Sequence, residues 1–496
     1  MLYAFWDGGR KMVIRFAPNE VGDWEYRVTS NLTQYEGKQG TLSATASEAP
    51  GFLRAANMHH WAYTDSNKAH LWMSDTVYDI ATVSADSFHS LVDERSKQKY
   101  THIRGMAPAF SGSELPDPAV FHELDERVRY INGKGLVFDM ILPSGGEAYV
   151  RYMASRYGGF HVTWQCLRAF EEVKNGRPLA KEMGMALKKY DPYQHPKTAG
   201  ANVTSSPMAA DGWMDYIIYS SPDQQLGSIE HQLYAMPFVN TGLTSKDSNT
   251  LRKQLWNDAM NGQYVGSNGV DAKQMTVFFD FFSDSRHWEL EPYFDVDGGR
   301  CIALEGVEYV LYIEKPGPVE LRVERHGYDV FWFNPLTGES TKMKNYKGEK
   351  FAAEPPDSTH DWVLYLSREG KKESMLESYK FESRLIELQE IELNAQKVPF
   401  TISEPSKDEV STSKPPRYEV KLRRESRATR SMMYLWTGEV TIDGLGARVF
   451  GTGKEGVFTI PPGMAINYPG ILNLRLTGMN ANGKVYVADK VITLTQ

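Results

Sequence analysis

The stretch WQCLRAFEEV, Trp164 to Val173, brings together Gln165, Arg168, Glu171 and Glu172, four side chains able to read a polar ligand or move a proton. Elsewhere Asp75, Asp139 and Glu230 offer further carboxylates, and Gln165 and Asn240 offer neutral donors and acceptors. Trp164, Trp72, Tyr219 and Trp288 offer flat faces. Carboxyl groups that trade protons, amides that bond hydroxyls and aromatic faces that meet C–H edges suit a hydroxyl-rich neutral ligand. Each has a plainer reading too: a helix cap for Asp75, a solvated loop acid for Glu171, core packing for the aromatics, and a surface position for the neighbours Glu230 and His231.

Other chemistries are poorly served. No phosphate-cradling glycine loop with lysine, no H-E-x-x-H and no G-x-S-x-G occurs in the chain. The pair His59 and His60 lacks a third ligand at metal-like spacing, and Cys166 and Cys301 sit singly in apolar runs as buried thiols. Neither a metal nor another cofactor is therefore expected. A net charge of -8 over 496 residues argues against nucleic acid as the main partner. No apolar run is long enough to span a bilayer.

The elements that must position these residues follow from periodicity. With 41% hydrophobic and 12% aromatic residues, the chain has material for three or four domains. Short apolar strands are expected at 70–75, 100–107, 135–142, 161–167, 197–203, 214–221, 236–242 and 262–268. Amphipathic helices such as FHELDERVRYINGKG, EAYVRYMASRYG and LAKEMGMALKKYDP stand between them. Strands alternating with helices at this count form a (β/α)8 barrel, whose site lies at the strand C-termini. On the second strand, only one of His102 and Arg104 is expected to face inward, with Arg104 at the mouth. Before the barrel, residues 1–50 read as part of a β-sandwich with strands at Val13 to Phe16 and Trp24 to Thr29; the start inside such a domain suggests that strands and an export signal precede Met1. The barrel is assigned to 51–294, a β-sandwich to 295–370, a linker with edge strands to 371–430, and a final β-sandwich to 431–496. The class is thus multidomain α/β plus all-β.

This order of parts resembles a bacterial family of apiosidase-like (β/α)8 glycoside hydrolases, in which an Ig-like domain precedes the barrel and a collagen-binding-type β-domain follows it. The phrases that carry the resemblance are FWDGGRKMVIRFAPNEVGDWEYRVTSN, LWMSDTVYDIA, NGRPLAKEMGMALKKYDPYQHP, GSIEHQLY, GVEYVLYIEKPGPVEL and DVFWFNPLTGES, within residues 1–370. The resemblance implies a secreted protein acting on polysaccharide or oligosaccharide, with one carboxylic acid just past the fourth strand and a second carboxylate closing the seventh. Those positions hold Ala169 and Gly242, or Thr241 if the register slips by one. Two expectations follow: a displaced mechanism with Glu171 as the acid, partnered by Asp139 or Glu230, or a carbohydrate-binding pseudoenzyme. In either case the expected ligand contacts are Asp75, Arg104, Asp139, Trp164, Gln165, Tyr219, Glu230, His231, Asn240 and Trp288.

Overall fold

The structure, a computed structural model, describes residues 1–110, 115–220, 224–269, 272–370, 400–402, 406–411, 420–424, 433–442, 446–452, 457–458, 468–480 and 484–496. At its centre are eight parallel strands: β1 (Met73–Thr76), β2 (His102–Met106), β3 (Val137–Leu142), β4 (Val162–Cys166), β5 (Lys197–Ala199), β6 (Ile217–Tyr219), β7 (Phe238–Leu243) and β8 (Tyr264–Ser267). They pair in the order β5-β4-β3-β2-β1-β8-β7-β6. The remaining seam is joined by the Asp215 N–H, which donates to the Lys197 carbonyl at 2.8 Å. Around them run α1 (Ala85–Lys97), α2 (Pro118–Gly133), α3 (Glu147–Tyr157), α4 (Gly176–Tyr190), α5 (Gln224–Leu233), α6 (Ser248–Met260) and α7 (Ala272–Ser283). A 3-10 turn, Ser206–Asp211, follows β5 where an α-helix would complete the repeat.

Because helices cover the outside and side chains fill the inside, barrel strands are buried on both faces and read as continuous apolar runs. Outward residues Ile103, Phe138, Met140, Trp164 and Cys166 join a core shared with α2, α3 and α4. Inward, Trp61, Trp72, Tyr216, Ile218, Val239 and Tyr264 fill the foot of the barrel. Trp61 arrives on a hairpin, Leu53–Ala56 with His60–Tyr63, that plugs the N-terminal end.

After the barrel, strands from Glu291–Tyr293 to Trp362–Arg368 pair antiparallel in one eight-stranded sheet rather than two separate ones. The register of its longest strand, Val319–Phe333, breaks between Arg322 and His326. Alternation decides what each face does. Trp362, Leu364 and Leu366 enter a core with Leu321 and Val330, while Val363 and Tyr365 pack on Trp256 and Phe278 of α6 and α7. This junction also buries the Arg252–Asp361 ion pair, which receives the Tyr312 hydroxyl at 2.9 Å.

At the N-terminus, Gly22–Arg27 pairs with Gln39–Ala44, and Phe5–Trp6 with Met12–Val13. The strand expected at Val13 to Phe16 is cut short because Arg15 turns to the barrel and binds Asp125 on α2. Toward the C-terminus, three-stranded and five-stranded sheets are built from strands between Phe400–Ile402 and Val485–Thr495. Of the stretch read as linker, residues 371–399, 403–405, 412–419 and 425–430 lie outside the described residues.

Candidate functional site

The mouth of the barrel, above the C-termini of the strands, holds a cavity of about 310 Å³. A groove of about 490 Å³ lies elsewhere, between α5 and the C-terminal sheet. The mouth is the stronger candidate because residues from several strand ends converge there, as they do at (β/α)8 sites. Its lining includes Tyr78, Arg104, Arg168, Ala169, Ala201, Asn202, Ser220, Thr241, Gly242 and Asn268. Both positions at which the resemblance expects a carboxylate, Ala169 and Gly242, lie on this wall, and no described lining residue is acidic.

The floor is a buried polar network. Arg104 Nε donates to Gln165 Oε1 at 3.1 Å and lies 3.3 Å from Asp139 Oδ2, while Arg104 Nη1 reaches the Thr76 hydroxyl at 3.3 Å. Asp139 also accepts from the Thr163 and Tyr216 hydroxyls. Burial raises its carboxyl above the ordinary range, opposed by the Arg104 charge. Gln165 completes the chain by donating Nε2 to the Leu167 carbonyl at 2.8 Å. Leu167 has φ +64°, a left-handed conformation that a leucine adopts at a cost and that tends to mark functional turns. That kink at the end of β4 carries the chain across the mouth to Ala169. Gly200 permits the crossing, since a Cβ there would lie 2.1 Å from the Arg168 carbonyl oxygen.

The expected contacts separate sharply once the faces of the strands are known. Arg104, Asp139 and Gln165 point into the barrel. So does His102, which stacks on Trp72 with ring centroids 3.6 Å apart. The expectation that only one of His102 and Arg104 faces inward is corrected: residues two apart on a strand share a face. Asp75 points outward, where it accepts from Arg95 Nε of α1 at 2.7 Å and from the Ser267 hydroxyl at 3.0 Å. Asn240 likewise faces α6, bonding Asp258 and taking the Gly242 N–H at 2.8 Å. Trp164 lies in the core between sheet and helices, its indole N–H given to Asp191 at 2.9 Å. Tyr219 packs with Ile229 and Met479, outside the barrel. Trp288 is at the foot with Ala56 and Ala62. These five are structural in position and do not meet the mouth.

Glu171 is fully buried in the 3-10 turn Phe170–Glu172, and both its carboxylate oxygens accept the Asn202 backbone N–H at 3.1 Å. It stands behind the mouth wall, with Asn202 between. Glu172 faces solvent and pairs with Arg168. Glu230 lines the groove beside the C-terminal sheet, holding the Thr204 and Ser206 hydroxyls at 2.7 and 2.6 Å, and burial pushes its carboxyl up to about 7. His231 is at the opposite end of the barrel, against His59. The mouth residues missed in the sequence, among them Asn202, Ser220 and Asn268, stand just past β5, β6 and β8. Their signal was that position alone.

Residues 295–367 match the family described as "Putative collagen-binding domain of a collagenase". No curated protein sequence matches the chain. Among solved structures, one described as a "putative glycoside hydrolase" from Bacteroides vulgatus ATCC 8482 aligns with TM-score 0.65 at 16% identity, covering 74% of this chain and 92% of the other. A glycoside hydrolase family 5 structure from the same organism aligns with TM-score 0.55 at 11% identity, over 64% and 93%. Another glycoside hydrolase gives TM-score 0.55 at 12% identity, over 64% and 97%. At such identities the likeness is one of fold: the chain has the barrel fold of glycoside hydrolases, followed by a β-domain.

Proposed function

We propose that the chain binds a carbohydrate polymer or oligosaccharide at the barrel mouth and does not cleave it by the usual two-carboxylate route. Glycoside hydrolysis on this pattern needs an acid and a second carboxylate about 5–5.5 Å apart for retention, or about 6.5–9.5 Å apart for inversion. The observation that carries the reading is the composition of the mouth: Ala169 and Gly242 stand where the family resemblance places the pair, and no described lining residue is acidic. The hydroxyl, amide and guanidinium groups of Ser220, Thr241, Asn202, Asn268, Arg104 and Arg168, with the ring of Tyr78, suit sugar hydroxyls and a sugar face. Glu171, two residues beyond Ala169, is buried behind the wall and accepts the Asn202 backbone N–H, which favours its charged form over the protonated one a general acid needs.

Within this reading the chain is an apiosidase-like relative whose N-terminal 50 residues derive from an Ig-like domain, and whose protein works outside the cytoplasm, where polysaccharide is met. Fractionation of native cells with an antibody to this chain tests the location. Calorimetric titration with a panel of plant and microbial oligosaccharides, run beside turnover of aryl glycosides, tests the function. Saturable binding without hydrolysis is the expected result; hydrolysis in the wild type overturns it.

A further inference from the structure

At the foot of the barrel, opposite the mouth, the fold brings together side chains that are far apart in sequence. His59 comes from the plug hairpin's turn, His231 from α5, and Glu291 from the first strand of the trailing sheet. One ligand atom from each lies within 4.8 Å of the others. His59 Nδ1 is 3.0 Å from Glu291 Oε1, and His231 Nε2 is 3.3 Å from Glu291 Oε2. Two ligand atoms on a tetrahedral ion with bonds of about 2.0–2.1 Å stand about 3.3 Å apart. We propose that His59, His231 and Glu291 bind a divalent ion of the zinc class, in a structural role.

Four further features support the assignment. His59 Nε2 lies 2.8 Å from the Tyr234 carbonyl, an acceptor only, so that nitrogen carries a proton and Nδ1, which faces Glu291, is the one that would give its lone pair to an ion. A carbonyl behind a metal-binding histidine fixes the tautomer in this way. His231 is buried with neither ring nitrogen hydrogen-bonded, and its Nε2 faces the Glu291 carboxylate 3.3 Å away, so an ion between the two would satisfy that nitrogen. Gly262, at φ +75°, leaves room beside it: a Cβ there would fall 2.4 Å from His231 Nε2. Finally, His60 orients the carboxylate, placing Nε2 3.1 Å from Glu291 Oε1 while Nδ1 takes the Tyr264 hydroxyl at 3.0 Å.

Two imidazoles with one carboxylate favour zinc or a neighbouring first-row ion over calcium or magnesium, which prefer oxygen-only shells. Glu291 keeps its side chain 40% exposed, so the ion reaches the site from solvent. Bound there, it ties the plug hairpin, α5 and the trailing sheet together, and its effect is on stability.

The test uses the full chain, stripped with a chelator and then titrated with zinc chloride. One zinc per chain by mass spectrometric metal analysis is expected, with the melting temperature raised by about 3 °C or more at saturating zinc. Glu291→Gln and His231→Leu should both lose the ion. Cobalt substitution of the wild type gives a readout independent of variant folding, an intense visible ligand-field band marking a four-coordinate site. Failure of the stripped wild type to bind zinc or to show the cobalt band, or equal zinc content in folded His231→Leu, would overturn the proposal and leave a hydrogen-bonded histidine–carboxylate cluster.

Discussion

Replacing Glu230 by glutamine isolates one buried ionisation beside the C-terminal sheet. Burial lifts the carboxyl from the ordinary 4.5 to about 7, even though the Thr204 and Ser206 hydroxyls favour its charged form. Between those values the folded chain holds a proton that the unfolded chain releases, so stability falls as pH rises through that window and the loss is complete above about 7. A rise of about 2.5 pH units at 1.36 kcal/mol each sets a ceiling of about 3 kcal/mol. Glutamine keeps the length and an acceptor oxygen but cannot ionise. Urea unfolding at several pH values between 4.5 and 8.5 should show Glu230→Gln equal to or slightly below the wild type at pH 5, and more stable by about 1–3 kcal/mol at pH 8. Asp258, raised to about 8 by its own burial, contributes a slope of the same sign in both proteins, so the difference between the curves is the quantity to read. Parallel curves would mean that water reaches the Glu230 carboxylate and that burial does not raise it.

Arg252→Met should destabilise the junction of barrel and trailing sheet by about 3–5 kcal/mol, because it leaves Asp361 buried and charged; adding Asp361→Leu should recover most of the loss. Denaturant midpoints of the two variants check this, and no recovery in the double variant would count against it. Glu171→Gln should leave oligosaccharide affinity and any residual turnover within about twofold, whereas loss of a general acid costs about 10²–10⁴-fold and would return Glu171 to the catalytic face. Tyr78→Ala should weaken oligosaccharide binding about threefold to tenfold by calorimetry if its ring meets a sugar face. An unchanged affinity would place the sugar elsewhere on the mouth.

The positions of the eight strands were legible because each is a short apolar run between helical stretches. Which face each residue takes was harder to read. In a strand covered on one side by helices and on the other by barrel contents, both faces are buried and the hydrophobic pattern does not alternate. Asp75, Trp164, Tyr219 and Asn240 therefore looked as eligible for the mouth as Arg104 and Gln165, and a one-residue change of parity separates the two groups. His102 and Arg104 could have been placed correctly from spacing alone. Ala169 and Gly242 were found through resemblance, and both line the mouth. The foot cluster was invisible in the sequence, since His59 and Glu291 lie 232 positions apart and meet only through the plug hairpin.

On this reading the mouth binds sugar without the usual carboxylate pair. The most direct measurement is oligosaccharide titration of the wild type and of Ala169→Trp, whose indole would fill the mouth, with product analysis of every bound sugar. The wild type should bind saturably and give no product after prolonged incubation, and Ala169→Trp should lose binding while keeping its fold. Cleavage of a bound sugar by the wild type, or unchanged binding in folded Ala169→Trp, would contradict this reading.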